Sequence, residues 1–425
     1  RDSASGSLFF ALVGQRVDGH EFVREAMQRG AVCAIVERYV DAKMPQILVP
    51  SAVQALGDLA RFYHARLNIP VVAVTGSVGK TSTKEMIAHV LTDTFVVHKS
   101  RKNYNNELGV PIETFRIEMS DQVSVFELAM RGRSQISRLS SIVRPRIGVI
   151  TNIGISHIEV LGSKNEIADA KRELVDGMDS GSVLVLNRDD SYYDHLVRAA
   201  KGRVISFGES KEATYRISNL SLDSRGSPSF LINGVPVRIS ESMGKQHAFN
   251  GAAAFAVATE LGVPAEAIAE RMSSFVTPAG RGTFCRAKSG AIILDNTYNA
   301  APDSIRSSLY TLSDLRQKGA RTIAVIGDML ELGAFSEEAH REIGNLVNKT
   351  NVDLLVTIGE NSKFIGEESR LRAWRHYSNT LDAVRYLLLE LHKDDIVMMQ
   401  GSRVMRLDTV VEALEKGGID FAPEQ

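Results

Sequence analysis

A glycine-rich loop near residue 78 carries the clearest chemical signal in the chain. An apolar run at 71–74 predicts a strand, and a helix is predicted over 81–91. In such a strand-to-helix turn, backbone N–H groups point inward and form a cradle for phosphate oxygens. The pattern therefore predicts a nucleotide-phosphate site formed by Thr75, Gly76, Ser77, Val78, Gly79, Lys80 and Thr81.

Two side chains of this loop suit phosphate chemistry. Lys80 would neutralise the β and γ phosphates of ATP, and Thr81 would offer its hydroxyl to Mg²⁺. The usual pattern has a further glycine five residues before Gly79, and Val74 stands there instead. The alternative is a plain glycine turn with a solvated lysine. We favour the nucleotide site.

Three more side chains could serve the same chemistry. Glu127 ends an apolar strand predicted over 123–126, and His157 follows another predicted over 147–151, where open α/β sheets bind ligands. Lys171 lies in a predicted helix. Taken singly, each also has a structural explanation: a solvated strand end, a hydrogen-bonded loop histidine and a solvated helix lysine. No guanine-reading motif is found, which argues against a GTPase.

The elements that must position these groups alternate between strand and helix along most of the chain. This alternation predicts an α/β fold with largely parallel sheets. Breaks at Asn68-Ile69-Pro70 and Thr277-Pro278-Ala279-Gly280 indicate three domains, residues 1–68, 69–278 and 279–425. Within the second, Asn233-Gly234 between apolar runs predicts a β-hairpin.

The composition argues against several classes of protein. The chain has 425 residues and a formal net charge of −1, so charge gives no reason to expect nucleic acid or an anionic membrane as a partner. No run of about 18 apolar residues occurs, which argues against a membrane span. Cys33 and Cys285 are far apart, so a cytoplasmic location without disulfides is predicted. Nothing indicates an obligate partner subunit, and we expect a monomer.

Several stretches together resemble successive signatures of the Mur ligase family, in the expected order along essentially the whole chain. They are residues 75–81, 103–111, 151–157, 244–247 with Asn250, 280–282 and 295–302. Residues 7–14 with Asp18-Gly19-His20, and 327–333 with Glu338 and His340, resemble the terminal domains of the family members that act on a UDP-linked tripeptide. The resemblance implies an ATP- and Mg²⁺-dependent amide ligase that joins UDP-N-acetylmuramoyl-tripeptide to D-alanyl-D-alanine through an acyl phosphate.

The resemblance also implies a domain plan. A small α/β N-terminal domain would bind the UDP sugar, and a central P-loop NTPase-like parallel sheet would bind ATP. A C-terminal Rossmann-like domain would bind the incoming amine. Arg1 is similar to the last residue of a family Asp-Ser-Arg stretch, so we expect the N-terminal domain to be truncated at its start.

Residue roles follow from the same resemblance. Lys80, Glu127, His157 and Lys171 would be catalytic. Thr81 and Glu127 would hold a first Mg²⁺, and His157 and Lys171, if carbamylated, a second. The remaining ATP contacts would be Asn250 near the adenine, with Arg281 and Asp295 near the phosphates and ribose. Substrate contacts are implied for Asp18, His20, Asn105, Asn106, Asn299, Asp328 and Glu331.

Two other interpretations stay open at this point. A ligase of the same fold could use other substrates, as in folate polyglutamylation, cyanophycin synthesis or a cofactor pathway. A nucleotide-binding scaffold without turnover is the second. The UDP-sugar-like stretch argues against the first, and the intact phosphate and metal residues argue against the second. Departures at Ala129, Gln135, Ala301 and Gln400, where the family often has Gly, Glu, Asn and Lys, weaken the prediction of the amine substrate.

Overall fold

Three separate β-sheets with helices packed against them make up the fold. The computed structural model describes residues 5–14, 16–316 and 320–418. The sheets contain three, nine and six strands in chain order. The predicted α/β class with three domains and largely parallel sheets is confirmed. Arg1, and with it the expectation of a truncated start, lies outside the described residues.

The first sheet is small and entirely parallel. Its strands are β1 (Leu8–Phe10), β2 (Cys33–Val36) and β3 (Gln46–Leu48), in that order. Its helices are α1 (Val23–Gln28) and α2 (Ala52–His64). Helix α2 begins at a Ser51 cap and runs on to the second domain, where the hydroxyl of Tyr63 donates to the carbonyl of Ile117 at 2.8 Å. This helix therefore joins the two domains.

Six of the eight neighbouring strand pairs in the second sheet are parallel. Its strands are β4 (Val71–Thr75), β5 (Val97–Lys99), β6 (Val123–Glu127), β7 (Ile147–Ile150), β8 (Val183–Asn187), β9 (Arg203–Gly208), β10 (Tyr215–Leu222), β11 (Pro228–Ile232) and β12 (Val235–Arg238). The order is β12-β11-β10-β9-β8-β7-β4-β6-β5, and only β10, β11 and β12 pair antiparallel. The predicted hairpin is confirmed, since Asn233 and Gly234 both have positive φ between β11 and β12.

Helices cover both faces of this sheet. They are α3 (Lys80–Leu91), α4 (Gly109–Thr114), α5 (Gln135–Val143), α6 (Ile158–Leu161), α7 (Lys164–Arg172), α8 (Tyr193–Val197), α9 (Gln246–Glu260) and α10 (Ala265–Ser273). Every residue of β4, β6 and β7 is buried. Strands covered on both faces are expected to read as continuous apolar runs, which is why the sequence located these three.

The third sheet has one antiparallel edge. Its strands are β13 (Thr283–Arg286), β14 (Ile292–Asn296), β15 (Thr322–Gly327), β16 (Leu354–Ile358), β17 (Trp374–Tyr377) and β18 (Ile396–Gln400). Their order is β13-β14-β18-β15-β16-β17, with only β13 antiparallel to its neighbour. The helices are α11 (Pro302–Arg316), α12 (Ser336–Lys349), α13 (Lys363–Glu368), α14 (Thr380–Glu390) and α15 (Leu407–Lys416).

The second and third domains are in direct contact. Lys245, just before α9, pairs with Asp314 of α11 at 2.9 Å, and Ser307 donates to the side chain of Gln246 at 3.1 Å. One hydrophobic cluster contains buried side chains of both domains. No helix in the described ranges is long and apolar enough to cross a membrane. The contacts leave a cleft between the strand ends of the two sheets.

Candidate active site

The cleft has a volume of about 1250 Å³ and is lined by residues of the central and C-terminal domains. Residues that follow β4, β6 and β7 line one side, and Asn296 and Gln400, at the ends of β14 and β18, line the other. The carboxyl ends of parallel strands are where open α/β sheets bind ligands. Ser77, Val78, Gly79, Lys80 and Thr81 all line the cleft, while Thr75 is buried at the end of β4.

The phosphate loop is held by the segment that follows β7. The N–H of Val78 donates to Oδ1 of Asn152 at 3.0 Å, and the hydroxyl of Thr151 donates to the carbonyl of Val78 at 2.6 Å. The N–H of Gly154 donates to the hydroxyl of Ser77 at 2.8 Å. The stretch 151–154 thus fixes the loop conformation.

Two glycines are required for this close packing. Gly76 has φ +148°, and a Cβ there would collide with the hydroxyl of Thr151. Gly79 has φ +81°, and a Cβ there would lie 2.8 Å from Oδ1 of Asn250. Only glycine combines positive φ with such close contact at no steric cost.

Lys80 reaches back over its own loop. Its Nζ donates to the carbonyls of Gly76 at 2.9 Å and Ser77 at 3.1 Å. Desolvation lowers the pKa of Lys80 from its ordinary value, and the negative charge of Glu127 partly opposes this shift. These two carbonyls therefore hold the Lys80 ammonium at the open side of the phosphate loop (the loop mouth), within reach of a bound phosphate chain.

Glu127 lies at the end of β6, directly beside the loop. The hydroxyl of Thr81 donates to its Oε2 at 2.6 Å, and the side-chain amide of Asn105 donates to its Oε1 at 2.7 Å. A carboxylate and a hydroxyl oxygen in contact at a phosphate loop fit Mg²⁺, which takes one or two protein oxygens together with phosphate and water oxygens. Among the described residues no cluster of three His, Cys, Asp or Glu side chains could hold a metal.

His157 connects the central domain to the C-terminal domain. Its Nδ1 lies 2.7 Å from Oε2 of Glu331, and both residues have positive φ, +66° and +63°. The hydrogen bond from His157 is the main reason that the pKa of Glu331 is lowered, with the charges of Arg131 and Lys80 contributing further. The carboxylate of Glu331 is thus brought close to the phosphate loop.

Lys171 lies on α7 and is only 1% exposed. Its ammonium makes no hydrogen bond or ion pair with any residue in the described part of the chain. Burial, together with the positive charge of Lys80, lowers the pKa of Lys171 well below its ordinary value. A buried lysine beside another cation is costly when charged, so the equilibrium at Lys171 is shifted toward the neutral amine.

Asn250 and Arg281, which the sequence predicted as ATP contacts, both line the cleft. Oδ1 of Asn250 accepts a hydrogen bond from the hydroxyl of Thr83 at 3.2 Å. The guanidinium of Arg281 lies 3.7 Å from the ring centroid of Tyr298, a close cation–π contact. Asp295 is not among the residues that line the cleft; its carboxylate accepts from the N–H of Thr297 at 2.9 Å and supports the turn after β14.

The predicted substrate residues fall into two groups. Asn105, Asn106, Asn299 and Glu331 line the cleft. Asp328 does not, because its buried carboxylate accepts the N–H groups of Glu360, Asn361 and Ser362, which open the segment before α13. The carboxylate of Asp328 therefore holds the backbone at residues 360–362 and does not face the cleft.

Asp18 and His20 belong to the small domain, away from this cleft. The carboxylate of Asp18 lies 2.7 Å from Nδ1 of His20, and Nε2 of His20 accepts the N–H of Glu37 at 2.9 Å. The side chain of Asp18 also caps the short 3₁₀ turn Gly19–Phe22. In the structure these two side chains make hydrogen bonds within the small domain, to each other and to the backbone of Glu37.

Several cleft residues were not assigned a site role from the sequence. They are Arg131, His247, Tyr298, Gln400 and Arg403. His247 precedes Asn250 by one helical turn on α9, and that spacing could have placed both on one face. Arg131 follows Glu127 by four residues in a loop, where no periodic pattern indicates which way a side chain points.

Three family models match successive parts of the chain. The model of the Mur ligase family catalytic domain matches residues 1–64. The Mur ligase middle domain matches residues 74–258, and the Mur ligase glutamate ligase domain matches residues 280–403. Together these matches cover most of the chain.

Curated relatives match nearly its full length. The UDP-N-acetylmuramoyl-tripeptide–D-alanyl-D-alanine ligase of Bacillus subtilis (strain 168) is 32% identical over 415 residues, covering 96% of this chain and 90% of that protein. The ligase of the same name from Synechocystis is 33% identical over 421 residues, covering 97% and 90%.

Solved structures have the same overall arrangement. A crystal structure of MurF from Acinetobacter baumannii superposes with a TM-score of 0.90 at 29% identity and covers 98% of this chain and 92% of its own. The MurF ligase from Thermotoga maritima in complex with ADP also has a TM-score of 0.90, at 28% identity, covering 98% and 96%.

Proposed function

The chain belongs to the Mur ligase family, and on this basis we propose that it joins D-alanyl-D-alanine to UDP-N-acetylmuramoyl-tripeptide in an ATP-dependent reaction. The names of its full-length relatives support this choice. The observation that carries it is the cleft itself, where the phosphate loop and Glu127 of one domain face Glu331 of the next. An amide ligase needs its phosphate donor and its amine brought together in this way.

The three domains divide the substrates between them in this proposal. Residues 1–68 bind the UDP end of the acceptor, 69–278 bind ATP, and 279–425 bind the incoming dipeptide. Lys80 and the N–H of Gly79, at the start of α3, would contact the phosphates of ATP. Asn250 and Arg281 would contact the nucleoside end, and Asn105 and Asn106 the acceptor.

Mg²⁺ is the proposed cofactor. Thr81 and Glu127 would hold one ion through oxygen ligands, which Mg²⁺ prefers. His157 and Lys171 would serve a second ion if Lys171 carries a carbamate, whose oxygens are suitable ligands. The lowered pKa of Lys171 supports this modification, since only a neutral amine reacts with carbon dioxide. Bound Mg²⁺ would reduce the repulsion between the attacking carboxylate and the phosphate oxygens.

The reaction then proceeds in two steps. An oxygen of the acceptor's terminal carboxylate attacks the γ-phosphorus of ATP, the bond to the bridging oxygen breaks, and an acyl phosphate and ADP result. Lys80 offsets negative charge on the transferred group. The amine nitrogen of the dipeptide next attacks the acyl carbon, loses a proton and displaces phosphate. Glu331 is suited to hold the amino group of the dipeptide close to this carbon.

Water must be kept from the acyl phosphate, and the domain contacts support this requirement. Asp303 of α11 accepts the N–H of Ile155 at 3.3 Å, and His157 meets Glu331. Such contacts close the cleft on the side of the reacting groups.

Because one chain supplies both walls, we propose a monomer. The two free cysteines are consistent with the cytoplasm as its location.

A phosphate-release assay tests the proposal. We expect release from ATP only when UDP-N-acetylmuramoyl-tripeptide and D-alanyl-D-alanine are both supplied, with Mg²⁺ present. A panel of amino acids, dipeptides and folates serves as the comparison set. Turnover with either substrate alone, or with glutamate and a folate, would contradict the proposed substrates.

A further inference from the structure

Three arginines lie on the segment that leads from β6 into α5, and two of them are already paired. Arg133 pairs with Glu166, and Arg138 pairs with Glu107 at 2.8 Å. The guanidinium of Arg131 makes no hydrogen bond or ion pair with any other residue that the structure describes. One cation of the three is therefore available for a ligand.

Arg131 lies at the reaction centre rather than on an unrelated surface. It lines the cleft four residues beyond Glu127. Its charge acts on the carboxylate of Glu331, as does that of Lys80, after the larger effect of the hydrogen bond from His157. Arg131 and the phosphate loop thus approach the same carboxylate.

The proposed acceptor has the chemistry that a free guanidinium recognises. The planar fork of arginine binds carboxylates through two parallel hydrogen bonds. One related structure is named for a peptide that contains alanyl, D-glutamyl and 2,6-diaminopimelate residues. Within such a peptide the glutamyl residue keeps one free carboxylate, and diaminopimelate keeps one besides the group that reacts. The acceptor therefore carries acidic groups that take no part in the chemistry.

We propose that Arg131 binds a non-reacting carboxylate of the acceptor peptide and so selects acidic acceptors. This inference rests on the proposed function and adds a specificity residue to it. The acceptor is favoured over the dipeptide as the source because Arg131 belongs to the central domain. It lies on the same wall as Asn105, Asn106 and Glu127, whereas the dipeptide is proposed to bind the C-terminal domain.

Steady-state kinetics of Arg131→Gln test this assignment. We expect KM for the acceptor to rise about ten- to a hundredfold, the effect of losing a charge-assisted pair, with kcat changed only a fewfold. The KM values for ATP and D-alanyl-D-alanine should stay as in the wild type. The acceptor KM of Arg131→Lys should lie between those of wild type and Arg131→Gln, because lysine keeps the positive charge but lacks the planar guanidinium. Arg133→Gln is the matched control, and its acceptor KM should not change.

Altered acceptors identify the carboxylate. If the rise in acceptor KM caused by Arg131→Gln vanishes when lysine replaces diaminopimelate, the contact is with the diaminopimelate carboxylate. If the rise persists with the lysine-containing acceptor and vanishes when the glutamyl carboxylate is amidated, the contact is with the glutamyl residue. Either result supports the proposal. An unchanged acceptor KM in Arg131→Gln, or a rise confined to the dipeptide KM, overturns it.

Calorimetric binding separates this inference from the proposed function. Acceptor binding to wild type and Arg131→Gln is measured with ATP absent, so it needs no turnover. Weaker binding to the variant supports the arginine contact, and equal binding overturns it. A wild-type protein that binds the acceptor yet releases no phosphate with the dipeptide counts against the ligase reaction alone.

Discussion

Two lysines with different tasks lie within electrostatic range of each other. Lys80 is held at the loop mouth by two carbonyls, whereas Lys171 is buried without a partner among the described residues. Burial lowers the pKa of Lys171, and the positive charge of Lys80 lowers it further. This shift toward the neutral, nucleophilic amine is the physical basis for expecting a carbamate there.

Carbamylation of Lys171 is directly observable. With ¹³C-bicarbonate at neutral pH, we expect a carbamate resonance in wild-type protein that is absent from Lys171→Ala. The same substitution should remove phosphate release, since an anionic ligand is lost. Lys84 is a useful comparison because its buried ammonium is paired with Glu85, and no carbamate is expected on it. A wild-type spectrum without the resonance would rule the modification out.

Loss of the Lys80 ammonium should stop the first chemical step. For Lys80→Ala we expect phosphate release to fall by at least about a hundred- to a thousandfold, because charge on the transferred phosphate is left uncompensated. The thermal midpoint should change little, as the side chain lies at the loop mouth. Lys349→Ala on α12 is the surface control. Near-normal activity in Lys80→Ala would refute the phosphate-loop assignment.

At the scale of elements, a buried lysine ties α3 to the strands that carry the site. Lys84 is 0% exposed, and its Nζ donates to the carbonyl of Ser100 at 2.6 Å and pairs with Glu85 at 2.8 Å. The hydroxyl of Ser100 accepts the N–H of Glu127 at 3.2 Å. The helix that begins at the phosphate loop is thus connected through one residue to the candidate metal ligand.

Removing this buried charge should destabilise the protein. Lys84→Met keeps most of the volume but leaves the Ser100 carbonyl without its partner and Glu85 with Lys99 as its remaining cation. We expect the free energy of unfolding to fall by about 2–4 kcal/mol in denaturant titration. Adding Glu85→Gln should recover part of the loss, because it removes a carboxylate that has lost one of its two cations. A single variant as stable as wild type would show that the network contributes nothing.

At the scale of the whole molecule, α2 connects the small domain to the central one through a buried histidine. His64 ends α2, and its Nε2 has no hydrogen-bond partner in the described structure. Burial, with the charge of Arg144 adding to it, lowers the pKa of His64 from 6.5 to about 4. The folded protein therefore excludes a proton that the unfolded chain accepts.

This difference predicts the pH dependence of stability. The unfolded chain binds more protons between pH 4 and 6.5, so stability is complete above about pH 6.5 and falls as the pH drops toward 4. His64→Leu should flatten this part of the stability curve by about 1–3 kcal/mol. Burial also lowers the pKa of His247 to about 4. Part of the pH dependence of stability should therefore remain in His64→Leu. An unchanged slope in His64→Leu would contradict the buried-histidine account.

Local features of the molecule could be predicted from the sequence because neighbouring residues form them. The strand, glycine turn and helix of the phosphate loop are continuous in the chain, as is the Asn233-Gly234 hairpin. Buried parallel strands are apolar along their length, which indicated β4, β6 and β7. The short strand β3 was not predicted, since three residues carry too weak a pattern.

The sequence by itself determined the family, the α/β class and the order of the motifs, because these depend on residue types at fixed spacing. Only the tertiary structure decided which side chains face the cleft. It turned Asp328 and Asp18 toward backbone partners, brought His157 to Glu331 from another domain, and left the Arg131 guanidinium without a partner among the described residues. Such outcomes depend on residues tens or hundreds of positions apart, whose approach is set by packing of whole elements.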